Sequence, residues 1–308
     1  MNYCSPQQGK RYNETGSCYD KTVLEKIARA FNRSFPDKSI QQIETKTFSQ
    51  LWKELQKKLS VSCGRDEVCW VSKVGLDYDD KLEDYIRPKT PAEWKRDPKT
   101  WLNNFNIEAV LIQYEEANSP IYKFMGVYPS DFLRKESYSG DCYYEEICKL
   151  NVAELYKQGI TCIGMVINLD EHDEPGSHWT SMFACIDPTK QCFGAYYYDS
   201  VTGDPPEDML EFMQEIQRQA DQLKASLKIK KPFKIAINKV RHQYGHSECG
   251  VFSIYYQLKW LSEIKNKGGK VKFEDIVGKK ITDSQVFKLR EILFRPLYQF
   301  KKSDVQKK

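Results

Sequence analysis

Four residues, His178, Asp199, Gln243 and Cys249, have the types that acyl transfer needs. A thiol attacks a carbonyl as the thiolate, so it needs a base, a group that orients that base, and donors for the oxyanion that forms. Cys249 lies where the polar loop Gln243-Tyr-Gly-His-Ser-Glu meets a run with Val251, Ile254, Tyr255, Leu258 and Leu261 at helical spacing. A helix N-terminus favours the thiolate through its unpaired N–H groups and dipole. That position alone does not separate a nucleophile from one of ten cysteines packed in a core.

The other three residues decide the matter jointly. His178 opens a strand-like run after the loop Glu171-His-Asp-Glu-Pro-Gly-Ser, where a side chain can face a cleft on a rigid backbone. Asp199 ends the run Ala195-Tyr-Tyr-Tyr-Asp, within reach of the second imidazole nitrogen across a hairpin, and Gln243 offers an amide beside the Cys249 N–H. Singly, each reads equally well as a surface histidine, a turn former and a loop residue. Of the remaining histidines, His172 stands among acids and reads as exposed, while His242 and His246 are close to Cys249 in sequence. One mechanism uses all four positions, and that joint reading is the stronger.

The surrounding elements follow from periodicity. Asp20 precedes a helical stripe of Val23, Leu24, Ile27, Ala28 and Phe31, and Thr47 precedes another of Phe48, Leu51, Trp52, Leu55 and Leu59. Residues 63–74 read as a loop or short strand. Pro88, Pro91 and Pro98 among charges mark a linker, so a mainly helical domain is expected over residues 1–95 and a catalytic domain over 96–308. In the second, Asn106 is expected to cap a helix carrying Ile107, Val110, Leu111 and Tyr114, and Asn151 one that stops at Gly159. Strands are expected at 161–169, 178–187, 191–200 and 233–240, with helices near 209–223 and 283–294. Strands and helices alternate irregularly, which is the α+β class with a central sheet.

Composition narrows the function classes. A net charge of +4 on 47 basic and 43 acidic residues is too mild to make nucleic acid or membrane the main partner. The clusters Lys224–Lys234 and Lys301–Lys308 read as solvated faces. No apolar run reaches the length of a membrane span, and the N-terminus lacks a signal-peptide core, so an intracellular protein with reduced thiols is expected. No Cys-x-x-Cys spacing is present, so neither metal nor cofactor is expected.

The order His178-Trp179, Asp199, Gln243, Cys249-Gly250 resembles the clan of cysteine proteases that includes the SUMO-specific proteases and the adenovirus maturation protease. Asn104-Phe-Asn-Ile107, Val240-Arg-His-Gln243, Ser247-Glu-Cys-Gly250, Ile281-Thr-Asp283 and Leu293-Phe-Arg295 are similar to the polyprotein proteases of large DNA viruses of the African swine fever type, over about residues 96–296. Asp199 departs from that type, which has asparagine there, and agrees with the wider clan. The resemblance implies a papain-like core of SUMO-protease type behind a helical arm. It also implies cleavage after glycine, often Gly-Gly, in a narrow channel with Trp179 in its wall. The implied substrates are viral polyproteins in the host cytoplasm and virion, or ubiquitin-like proteins. An acetyltransferase with the same residue order is the alternative from another class.

Overall fold

The computed structural model describes residues 3–77, 79–298 and 300. It divides into two compact units, one of residues 1–92 with 291–308 and one of residues 93–290. The front boundary lies three residues before the expected one, but the chain end groups with the first unit rather than with the catalytic domain. Side chains and backbone account for this: Arg295 donates to Glu83 Oε1 at 2.5 Å and to the Arg87 carbonyl at 2.9 Å, and the Arg295 N–H bonds to Pro88 O at 2.8 Å. The expected basic tail Lys301–Lys308 lies outside the described residues.

The first unit contains α1 (Gly9–Thr15), α2 (Lys21–Ser34), α3 (Phe48–Cys63), α4 (Glu67–Lys73) and α5 (Asp80–Glu83). Asp20 caps α2 by accepting from the Val23 N–H, and Thr47 and Gln50 cap α3 reciprocally. Leu24, Ile27 and Phe31 of α2 share a core with Leu51, Leu55 and Leu59 of α3 and with Trp70 and Val71 of α4. The stretch expected as loop or strand is therefore the helix α4, capped by Asp66. Six of its seven residues are buried, so it has no polar face to give a helical period. Disulfides join Cys4 to Cys18 and Cys63 to Cys69 in this unit, and Cys142 to Cys148 in the other. These correct the expectation of ten free thiols: folding brings the Cα pairs to 5.0, 5.5 and 6.3 Å, within bridging range. Cys162, Cys185, Cys192 and Cys249 are free and buried.

In the second unit follow α6 (Asn104–Ala117), β1 (Tyr122–Tyr128), α7 (Glu145–Cys148), α8 (Val152–Lys157), β2 (Cys162–Asn168), β3 (Trp179–Cys185), β4 (Gly194–Tyr198), α9 (Glu207–Ser226), β5 (Lys234–Ile237), α10 (Cys249–Lys267) and α11 (Phe273–Val277). The chain then forms α12 (Asp283–Leu293). The cap of α6 is Asn103, not Asn106. Asn103 accepts from the Asn106 N–H at 2.9 Å, and Asn106 Oδ1 accepts from the Asn103 N–H, so the helix starts earlier than expected.

The sheet order is β1-β2-β3-β4-β5, with the outer pairs parallel and the inner pairs antiparallel. All residues of β3 and β4 are buried, because both faces are covered. On one face Met182, Ala184, Ala195 and Tyr197 meet Met209, Phe212, Met213 and Ile216 of α9. On the other, Phe183 stacks on Trp260 of α10 with ring centroids 5.1 Å apart. Gln257 of α10, fully buried, donates to the carbonyls of Met165 and Met182 at 3.2 and 2.8 Å. A Cβ on Gly164 would lie 2.4 Å from Gln257 Oε1, so that approach of helix to sheet requires glycine. These contacts fix α10, whose first residue is Cys249, against the strand that His178 leads into.

Candidate active site

His178 directly precedes β3, and its carbonyl extends the ladder by accepting from the Leu169 N–H at 2.9 Å. Asp199 directly follows β4. Antiparallel pairing of β3 with β4, Ser181 opposite Tyr198, brings the two side chains together, and His178 Nε2 lies 2.7 Å from Asp199 Oδ1. Asp199 is 1 % exposed. Its Oδ1 also accepts from the Val201 N–H at 2.9 Å and its Oδ2 from the Gly203 N–H at 2.7 Å. Burial opposes its ionisation, but the His178 bond and the two backbone N–H groups outweigh burial and hold the carboxyl below its ordinary range.

With Nε2 engaged by Asp199, the ring of His178 has Nδ1 left for the Cys249 thiol, which acts on it electrostatically. Burial disfavours the imidazolium, yet the bond to Asp199 and the Cys249 thiol prevail and push His178 up to about 9. Cys249 is the first residue of α10, buried at 1 % exposure, where backbone N–H groups lack partners within the helix.

Gln243 is held from both ends of its amide. Its Oε1 accepts from Ser200 Oγ at 2.7 Å, and Nε2 donates to the Gly245 carbonyl at 3.0 Å, which leaves one amide hydrogen uncommitted. The Gln243 N–H bonds to Ser200 O at 3.0 Å, so the residue after Asp199 anchors the loop before Cys249. Trp179 donates from Nε1 to the Leu102 carbonyl at 2.8 Å and covers Gly250, where a Cβ would meet Trp179 Cδ1 at 3.2 Å. Trp179 also lines a groove of about 520 Å³ with Trp101, Asn103, Asn104 and Asn168.

Among the remaining histidines, His172 is exposed and lies 2.6 Å from Asp131 Oδ2, and His246 is exposed. His242 is buried, bonded through Nδ1 to Tyr198 Oη at 2.8 Å and through Nε2 to the Val277 carbonyl at 2.9 Å. Sequence reasoning missed Ser200, Asn238 and Gly203. Asn238 donates to the Asp199 carbonyl at 2.8 Å, and a Cβ on Gly203 would lie 2.5 Å from Asp199 Oδ2. The only sequence signal for Gly203 was its place in the turn Ser-Val-Thr-Gly.

No protein-family model matches the chain. A protein of Acanthamoeba polyphaga mimivirus, named as a thiol protease, is 28% identical over 96% of this chain and 94% of its own length. A cysteine protease of African swine fever virus, named in other isolates a SUMO-1 cysteine protease, is 24% identical over 82% of this chain and 90% of its own. The crystal structure of the African swine fever virus protease superposes with a TM-score of 0.61, at 20% identity and 96% of each chain. This chain is a cysteine protease with the fold of the African swine fever virus protease, similar over most of its length to the mimivirus and African swine fever virus enzymes.

Proposed function

We propose that the chain cleaves peptide bonds through Cys249, with His178 as base, Asp199 as the group that orients it, and the Gln243 amide and Cys249 N–H as oxyanion donors. The observation that carries this is the imidazole of His178 between Asp199 and a thiol at the first position of α10. Asp199 fixes Nε2–H, so Nδ1 receives the thiol proton, and the thiolate attacks the carbonyl carbon. The imidazolium then returns its proton to the leaving amine. A water molecule, deprotonated by the same nitrogen, hydrolyses the thioester, and Cys249 is released.

The substrates on this reading are viral precursor polyproteins cut after glycine, at Gly-Gly-type sites, in the infected cell's cytoplasm and the particle. Trp179, which lines the neighbouring groove, covers Gly250, the residue after Cys249, where a Cβ would meet its ring at 3.2 Å; a small residue at that place suits a site that takes in glycine. The name SUMO-1 cysteine protease, carried by a relative, favours a second reading, release of a ubiquitin-like modifier. Both are tested together by incubating Gly-Gly-containing precursors and modifier fusions with wild type and Cys249→Ala and sequencing the product termini. Cleavage after glycine in precursors by wild type alone is expected. Cleavage of modifier fusions alone would favour the second reading, and activity retained by Cys249→Ala would remove the nucleophile assignment.

A further inference from the structure

Helix α12 reaches the loop between Gln243 and Cys249 at two places, and neither contact is needed by the helix itself. Its start is capped by Thr282 and Gln285: the Thr282 N–H donates to Gln285 Oε1 at 3.0 Å and the Gln285 N–H to Thr282 Oγ1 at 3.3 Å. The Asp283 carboxylate is thereby free of capping duty, and it accepts from the N–H groups of Tyr244 at 3.0 Å and Gly245 at 2.9 Å. Two turns further on, Arg290 is 3 % exposed, with Nη2 donating to the Ser247 carbonyl at 2.7 Å. Its Nη1 donates to the carbonyls of Pro98 and Thr100 at 2.5 and 3.1 Å, and the guanidinium lies over the Trp94 ring, 4.4 Å from its centroid.

Burying a guanidinium is costly, so a side chain kept there is expected to do more than fill space. What it holds is a backbone carbonyl two residues before Cys249. The loop has no ladder of its own: residues 241–248 carry no strand or helix. It is also tightly folded, since a Cβ on Gly245 would lie 2.6 Å from Glu248 Oε2.

We propose that Asp283 and Arg290 are positioning residues that make α12 a two-point splint for this loop, so that the Gln243 amide and the Cys249 N–H converge on one oxyanion. This rests on the roles given above to Cys249 and Gln243. The splint acts on the oxyanion site rather than on the thiol: Asp283 anchors the segment just after Gln243, and Arg290 the segment just before Cys249.

The test compares full-length Asp283→Ala, Arg290→Lys and Arg290→Gln with wild type and Cys249→Ala. Readouts are kcat and KM, iodoacetamide alkylation of Cys249, and affinity for a peptide aldehyde. The aldehyde adduct carries an oxyanion and needs its donors, whereas alkylation does not. For the Arg290 variants kcat is expected to fall about 100-fold, as when an oxyanion donor is lost, with KM within about twofold. Asp283→Ala is expected to lose about tenfold in kcat through slackened geometry. In each, aldehyde affinity falls in step with kcat while alkylation stays within about threefold. Unchanged kcat, or equal losses of alkylation and aldehyde binding, would overturn the splint. If the Arg290 variants fail to fold, Asp283→Ala decides, because α12 keeps its own cap. Activity in Cys249→Ala would instead place the failure in the nucleophile assignment.

Discussion

His178 and Asp199 stand at the ends of strands paired along an antiparallel ladder, whereas Gln243 and Cys249 are joined by a loop that depends on individual side chains for its shape. The β3–β4 pairing runs from Ser181 opposite Tyr198 to Cys185 opposite Gly194, and five backbone-paired positions fix the approach of His178 to Asp199. The loop is instead held by scattered bonds: Ser200 to Gln243 through its Oγ and its carbonyl, Asp283 to Tyr244 and Gly245, and Arg290 to Ser247. A ladder shares the load over many equivalent bonds, so no single side chain on it decides the geometry. The loop has less redundancy, and loss of one anchor should reach the oxyanion donors more directly.

Substitutions on either side sharpen this contrast. The largest effect is expected for Asp199→Ala, which leaves the ladder intact but frees the imidazole to rotate and lose the required tautomer. A fall in kcat of about 10³ to 10⁴ is expected, following the role of the triad carboxylate in acyl transfer. Gln243→Ala is expected to lower kcat by about 10² to 10³ with little change in KM, the signature of a donor used only in the transition state. A loss confined to KM would show that Gln243 binds substrate instead. Gly203→Ala comes next, at about tenfold in kcat, because its Cβ would press on Asp199 Oδ2 and shift the carboxylate by a fraction of an ångström. If Gly203→Ala costs as much as Asp199→Ala, the turn after β4 rather than the β3–β4 ladder sets the carboxylate.

The same contrast explains what could be read from the sequence. Strands β2, β3 and β4 announced themselves as apolar runs, and helices α2, α3 and α9 as stripes, because each has enough residues for its period to show. Strand β1 was not anticipated: Gly126 at φ +122° and a register shift between Phe124 and Val127 break its alternation. Helix α4 is too thoroughly buried to be amphipathic. Within the site, His178, Asp199, Gln243 and Cys249 were legible because their chemistry limits the choice of residue type. The anchors Ser200, Asn238 and Arg290 were not: they are ordinary polar residues whose partners lie far away in sequence, 43 residues in the case of the Arg290 bond to Ser247, and Asp283 stood out only as the end of Ile281-Thr-Asp283, with no role attached. The disulfides were equally hidden, since spacing does not report where Cys4 and Cys18 meet.

Smaller effects are expected from pH, and they fall on opposite sides for the two buried or half-buried histidines. His178 is raised to about 9 by its bond to Asp199 and by the Cys249 thiol against the effect of burial. Its imidazolium is the proton donor to the leaving group, so kcat should fall on an alkaline limb near 9. Its stabilising contribution is full below the unfolded value of about 6.5 and is lost as pH climbs through about 9. His242, on the loop side, behaves in the reverse sense. Burial lowers it, only partly opposed by the Val277 carbonyl that accepts its Nε2–H, and the neutral ring accepts at Nδ1 from Tyr198. A folded-state value below the unfolded one means that the unfolded chain takes up the proton first. Stability from His242 is therefore present above about 6.5 and declines as pH falls below it. Thermal unfolding of wild type and His242→Gln from about pH 8 to about pH 5 should show a steeper acid-side decline in wild type. Parallel curves would mean that the Tyr198 and Val277 bonds do not hold the ring neutral, and that the residue next to Gln243 contributes nothing pH-dependent to the loop.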